Sequence, residues 1–163
     1  MVFVLMGVSG CGKTLIGKKL SGKINVPFYD ADDFHPKANI EKMKNGIPLD
    51  DDDRWPWLES LADHMKEWEG QGGAILACSA LKKSYRELLT NHSGVSVQYI
   101  YLKGSKSLIA SRLEKRHGHF FDESLLDSQF QALEEPERAL VVEINQAPDE
   151  IVSEIISSIS TTG

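Results

Sequence analysis

The chain has 163 residues, of which 41% are hydrophobic and 26% charged, and this is the size and composition of one globular domain. Its net charge of −6 argues against nucleic acid as the main partner, because affinity for a phosphate backbone comes from lysine and arginine. No apolar stretch is long enough to cross a bilayer, and two cysteines are too few for a disulfide framework. We therefore expect a single cytoplasmic domain over residues 1–163, with no membrane or nucleic-acid partner. Whether it forms a homodimer stays open.

Predicted strands and helices alternate along the chain. The strands are expected at 2–6, 26–29, 74–78, 96–102 and 140–144. The helices are expected at 13–22, 36–44, 55–70, 82–90, 105–116, 122–133 and 148–159. This alternation predicts an α/β fold, with a five-stranded parallel sheet covered by helices on both faces. Ligands bind such sheets beyond the carboxyl ends of the strands, so we expect the functional residues in the segments that follow the strands.

The first of these segments is a glycine-rich loop. Residues 7–14, with the sequence GVSGCGKT, match the phosphate-binding pattern G-x-x-x-x-G-K-[ST] at every fixed position, between a predicted strand and a predicted helix. The pattern predicts that backbone N–H groups hold a polyphosphate, that Lys13 reaches the β- and γ-phosphates, and that the Thr14 hydroxyl binds Mg²⁺. A glycine-rich turn that ends in Lys-Thr by coincidence is the alternative, and the flanking elements argue against it. The predicted nucleotide-binding residues are Gly7, Val8, Ser9, Gly10, Cys11, Gly12, Lys13 and Thr14.

Two carboxylates follow the second predicted strand. Asp30 and Asp32 are two residues apart, so on an extended segment they project to the same side. Facing the phosphate loop, Asp30 could hold the water shell of Mg²⁺, and Asp32 could contact a hydroxyl of the substrate. The alternative is that Asp32 or Asp33 caps the next helix, with Pro36 in its first turn. His35 is a candidate for substrate binding, although it could also be a surface residue that fixes the turn.

An acidic run precedes the predicted helix at 55–70. Four consecutive aspartates, at 50–53, are typical of a solvated loop, and Asp53 is expected to cap the helix. Arg54 comes directly after them. A guanidinium held by neighbouring carboxylates suits bidentate recognition of a carboxylate on a substrate. An ordinary surface arginine is the alternative.

The third strand is followed by basic residues and by no aspartate. An aspartate there would be the second magnesium motif of switch GTPases and motor ATPases. Lys82 and Arg86 are four residues apart on a predicted helix, so they share a face. They could form a cationic shelf for a substrate or a solvated helix face.

A second basic region covers residues 103–119, where five lysines and arginines stand against one glutamate. Arg112 and Arg116 are again four apart, and His117-Gly118-His119 follows them. A basic helix that runs into a glycine-containing loop suits a mobile lid, placed at about 112–125, which closes over phosphates and supplies arginine to the transition state. A solvated helix face is the alternative.

Taken in order, these segments resemble the gluconokinase family, whose members are relatives of shikimate kinase among the small P-loop kinases. The matching stretches are GVSGCGKT, FYDADDFHP, NIEKMKNGIPLDDDDRWPWL, CSALKKSYR, YLKG, GHFF and LLDSQFQALEEP, and they span nearly the whole chain. The resemblance implies a P-loop kinase fold. It also implies that D-gluconate is phosphorylated on its terminal hydroxyl, with ATP and Mg²⁺, to give 6-phosphogluconate.

The resemblance also implies roles for individual residues. Asp32 would orient or deprotonate the acceptor hydroxyl, and Arg54 would grip the sugar acid. Arg112 would lie against the adenine, and Arg116 would contact the transferring phosphate from the lid. Residues 145–148 would border the adenine. Together, the residue patterns and the resemblance predict catalytic Lys13, Asp32 and Arg116, nucleotide-binding Arg112, Gln146 and Pro148, and substrate-binding Asp32, His35, Arg54, Lys82 and Arg86.

Two alternative functions stay open at this stage. A shikimate-type kinase, or another kinase of small hydroxy acids or nucleosides, would use the same fold and a similar site. A nucleotide-dependent switch or binding module would be a different class of protein. It would call for an aspartate after the third strand and a base-specifying N-K-x-D motif, and the sequence has neither.

Overall fold

A computed structural model of the protein describes residues 1–117 and 123–162. Its strands are β1 (Val2–Met6), β2 (Phe28–Asp30), β3 (Ala74–Ala77), β4 (Val97–Lys103) and β5 (Leu140–Glu143). Its helices are α1 (Lys13–Ile24), α2 (Lys37–Lys44), α3 (Asp51–Gly70), α4 (Lys83–Ser93), α5 (Lys106–His117), α6 (Glu123–Ala132) and α7 (Pro148–Thr162), and a short 3₁₀ helix covers Ala31–Phe34.

The five strands form one parallel sheet in the order β2-β3-β1-β4-β5. β1 is central and pairs with β3 on one side and β4 on the other, with Val4 opposite Leu76 and Tyr99. Neighbouring residues of β1 point to opposite faces, so Val4 lies in one core cluster with residues of α3 and α4, while Leu5 lies in a second with residues of α1 and α7. The predicted α/β fold is confirmed, and this order brings the segments after all five strands to one edge of the sheet.

Helix α3 begins four residues earlier than the sequence pattern predicted. Its N-cap is Asp50, whose side chain accepts a hydrogen bond from the backbone N–H of Asp53 at 2.8 Å, while the Asp53 carboxylate accepts one from the N–H of Asp50 at 3.0 Å. The prediction that Asp53 is the cap was therefore wrong, because the two acids form a reciprocal capping box. Arg54 consequently lies near the start of α3, on a regular helix that fixes its direction.

The predicted lid at 112–125 falls partly outside the described residues, since 118–122 lie between the two described ranges. Helices α5 and α6 lead into and out of that segment. Within the described ranges, no helix combines the length and the apolar character that crossing a membrane requires.

Candidate active site

The phosphate loop wraps around the start of α1. Gly10 has a φ of +85°, and a Cβ atom there would lie 2.8 Å from Cγ of Leu113, so this position needs glycine for both its backbone angle and its space. Lys13 is the first residue of α1, and its Nζ donates to the backbone oxygens of Gly7 at 2.9 Å and Val8 at 3.1 Å. These bonds hold the ammonium group of the predicted catalytic lysine against the inner side of the loop.

The structure brings Thr14 and Asp30 together, as the predicted magnesium site requires. The Thr14 hydroxyl donates to Oδ2 of Asp30 at 3.4 Å, while Oδ1 of Asp30 accepts from the backbone N–H of Asp32. Mg²⁺ is usually bound by one or two protein oxygens together with substrate phosphates. A hydroxyl and a carboxylate beside a phosphate loop fit such a site.

The residue that caps the turn after β2 is Asp30, and Asp32 lies inside the 3₁₀ helix with a side chain that is 83% exposed. The capping alternative for Asp32 is therefore wrong. Oδ1 of Asp32 lies 3.8 Å from Nε2 of His35. The neighbouring imidazole of His35 lowers the pKa of Asp32 below the ordinary value of 3.8, and the charge of Lys13 acts in the same direction. Asp32 is thus an ionised carboxylate whose side chain is accessible to a substrate.

His35 is held from two sides. Its ring stacks on Trp57 at a centroid distance of 4.2 Å and its Nδ1 lies 3.3 Å from the Asn39 amide, so its side chain is only 5% exposed. Trp57 also donates from Nε1 to the backbone oxygen of Ala31 at 2.8 Å. The predicted substrate-binding His35 therefore contacts Asp32 and is fixed by α3.

Arg54 and Lys82 meet around Asp51, which the sequence analysis did not single out. Nη1 of Arg54 lies 3.8 Å and Nζ of Lys82 lies 3.3 Å from Oδ1 of Asp51, which also accepts a hydrogen bond from the Tyr85 hydroxyl at 2.5 Å. The Tyr85 hydroxyl and Lys82 lower the pKa of Asp51, and Asp51 in turn raises the pKa of Lys82. Asp51, Arg54 and Lys82 border a cavity of about 490 Å³, whose other lining residues are Leu49, Asp50 and Asp52.

Arg86 does not join Lys82 in a cationic shelf, so this prediction was wrong. The side chain of Arg86 points inward and is 8% exposed. Its guanidinium donates to the backbone oxygens of Ala80 at 2.6 Å, Leu81 at 3.1 Å and Glu134 at 2.8 Å. Burial lowers the pKa of Arg86. Arg86 ties the segment after β3 to the segment after α6 instead of binding a substrate.

We expect Arg86→Lys to destabilise the protein without changing how it binds its acceptor. Lysine keeps the charge but cannot reach three carbonyls from one planar group, so the free energy of unfolding should fall by about 1–3 kcal/mol. Thermal melting and KM for the acceptor, measured on the same preparation, check this. An unchanged melting temperature with a raised KM would return Arg86 to the substrate site.

Several predicted nucleotide-binding residues line a second cavity of about 320 Å³. Arg112 donates from Nη2 to the backbone oxygen of Ile144, which ties α5 to the end of β5. Arg116 lies one turn further along α5 and is exposed. The residues predicted from the sequence that line this cavity are Gly10, Cys11, Gly12, Arg112, Arg116, Gln146 and Pro148. The phosphate loop, α5 and the segment after β5 thus border one cavity.

Three functional candidates were missed by the sequence analysis. Asp51 was hidden in a run of four acids, although its spacing of three residues from Arg54 on a helix would have paired them. Trp57 stood only within one of the matching stretches, and its stacking on His35 is not visible in the sequence. Gln129 contacts the phosphate loop from α6, 120 residues away along the chain, and no local pattern predicts that contact.

The chain is similar to known kinases along nearly its whole length. The shikimate kinase family model matches residues 9–160. The chain is 42% identical over 163 residues to the thermoresistant gluconokinase of Escherichia coli K12, which covers 97% of this chain and 93% of that protein. The crystal structure of a gluconokinase from Sinorhizobium meliloti 1021 matches with a TM-score of 0.89 and 38% identity, covering 99% of this chain and 92% of that one. The shikimate kinase from Aquifex aeolicus, with a TM-score of 0.57 and 18% identity, shares the fold alone.

Proposed function

We propose that this chain, which belongs to the gluconokinase family, transfers the γ-phosphoryl group of ATP to D-gluconate. The resemblance to gluconokinases seen in the sequence motifs is confirmed by the match to known gluconokinases over most of the chain. The terminal hydroxyl is the acceptor we propose, with 6-phosphogluconate as the product. The observation that carries this proposal is the cavity beside Arg54, because it combines two cations with several carboxylates.

The chemistry of that cavity suits a sugar acid. Arg54 and Lys82 can pair with a carboxylate, and Asp50, Asp51 and Asp52 offer acceptors for sugar hydroxyls. Trp57 lies one turn beyond Arg54 on α3 and contacts both Ala31 and His35. One rigid helix therefore sets the position of the carboxylate grip relative to Asp32. This arrangement supports binding of gluconate by its acid end, with its far hydroxyl at the catalytic aspartate.

Phosphoryl transfer needs mainly positioning and neutralisation of charge, and the residues around the loop supply both. Lys13 would contact the phosphates from inside the loop, and Arg116 would approach them from α5. Asp32 would accept the hydroxyl proton late in the reaction, for which a carboxylate with a lowered pKa is basic enough. Mg²⁺, when held at Thr14 and Asp30, would neutralise phosphate charge. Closure of the lid would exclude water.

The proposal is tested by measuring ATP-dependent phosphorylation of a panel that contains gluconate, other sugar acids and shikimate. Turnover with gluconate far above the others, with little release of phosphate when no acceptor is present, is the expected result. Preference for shikimate would favour the shikimate-type alternative. ATP hydrolysis without transfer would favour a nucleotide-dependent switch. The cytoplasmic location and the single domain stay predictions, and whether the protein forms a homodimer stays open.

We expect Arg54→Lys to raise KM for gluconate strongly while ATP binding hardly changes. Lysine keeps the charge but loses the planar fork that holds a carboxylate through two bonds. Arg138→Lys is the matched control, since Arg138 is exposed. Initial rates at varied gluconate, together with ATP titration, check this. An unchanged KM would make Arg54 an ordinary surface residue.

A further inference from the structure

Gln129 on α6 makes two hydrogen bonds to one residue of the phosphate loop. Its Oε1 accepts from the backbone N–H of Ser9 at 2.6 Å, and its Nε2 donates to the Ser9 hydroxyl at 2.8 Å. Neither bond is used by the mechanism described above. The side chain therefore holds both the backbone N–H and the hydroxyl of Ser9.

The N–H of Ser9 and the C=O of Val8 belong to one peptide unit. A trans peptide is planar, so its N–H and C=O point in opposite directions. Because the Ser9 N–H points to Gln129, the Val8 oxygen points in the opposite direction, where it accepts from Nζ of Lys13 at 3.1 Å and from the N–H of Cys11 at 3.3 Å. The orientation of this single peptide thus connects Gln129 to the catalytic lysine.

The segment that follows the helix of Gln129 is anchored to the segment after β3. Five residues after it, the N–H of Glu134 donates to the backbone oxygen of Leu81 at 2.8 Å, and Oε1 of Glu134 accepts from the N–H of Lys83 at 3.0 Å. The buried Arg86 also donates from its guanidinium to the backbone oxygen of Glu134. These bonds fix the end of α6 to the segment after β3, so the helix can serve as a rigid support for the loop.

We propose that Gln129 is a positioning residue that sets the Val8–Ser9 peptide and, through the Val8 carbonyl, holds Lys13 in place for the phosphates of ATP. Without Gln129 this peptide can rotate, and the lysine loses one of its two backbone acceptors. The role concerns the nucleotide alone, so it holds whichever acceptor the enzyme uses.

The test replaces Gln129 with methionine, which keeps the length of the side chain and removes both hydrogen bonds. Loss of hydrogen bonds of this kind should weaken ATP binding and lower kcat by about threefold to tenfold, with an unchanged KM for gluconate. Gln131→Met is the matched control, because Gln131 is exposed on the same helix. It should behave like the wild type. Circular dichroism and thermal melting establish that each variant is folded.

The decisive measurement is ATP affinity in two backgrounds, followed with a fluorescent ATP analogue. Gln129→Met should weaken binding in the wild-type protein but should have no further effect in a Lys13→Ala protein, because the effect runs through the lysine. Equal weakening in both backgrounds would overturn the proposal, and so would unchanged ATP affinity in the wild-type background. Since binding is measured without an acceptor, neither result depends on gluconate being the substrate.

Discussion

Lys13→Ala should reduce phosphoryl transfer to below a tenth of the wild-type rate while the protein stays folded. The ammonium group is held by two backbone oxygens of the loop, and we propose that it contacts the phosphates from there. Losing a hydrogen bond to a charged group costs about 1.5–3 kcal/mol, which is roughly a 10- to 150-fold loss of rate when the contact is made in the transition state. The measurement is kcat with saturating ATP and gluconate, together with a thermal melt.

Lys18→Ala is the control for Lys13→Ala, since Lys18 lies on the same helix and is exposed. It should keep normal activity. A Lys13→Ala protein that retains more than a tenth of the wild-type rate with an unchanged melting temperature would contradict the assignment of Lys13 to the phosphates.

The fold was predictable because each element carries a strong local signal. The apolar run at 2–6 alternates between two buried faces in the structure, and the loop at 7–14 needs its glycines for backbone geometry. The start of α3 was predicted wrongly because both Asp50 and Asp53 are suitable N-cap residues. Only the backbone hydrogen bonds show that Asp50 is the N-cap. Local patterns thus predict which elements exist better than where they begin.

The candidate site was predictable where its residues follow directly from a strand, and less so where distant segments meet. Lys82 and Arg86 look equivalent in the sequence. Only the packing of the segment after α6 against α4 buries Arg86 and leaves Lys82 at the cavity. The same long-range packing brings Gln129 to Ser9. Contacts of this kind depend on the tertiary fold, and no spacing along the chain encodes them.

Asp32→Asn should lower kcat by about two orders of magnitude or more, because the amide cannot accept the proton of the acceptor hydroxyl. Stability should be normal, since the turn after β2 is capped by Asp30 and the Asp32 side chain is largely exposed. ATP affinity should be near normal, and KM for gluconate should move little because asparagine can still hold a hydroxyl. Melting temperature, ATP affinity and kcat on the one variant separate these effects.

Asp33→Asn provides the control for Asp32→Asn, because it makes the same change one residue along the 3₁₀ helix, at an exposed side chain. It should retain full activity.

The pH profile gives a second check. The pKa of Asp32 is lowered, so its carboxylate form persists as pH falls and is lost only below the ordinary aspartate value of 3.8. This group should therefore produce no acidic limb in wild-type kcat between about pH 5 and 7. Full activity of Asp32→Asn would remove Asp32 from catalysis and leave transfer dependent on positioning and charge alone.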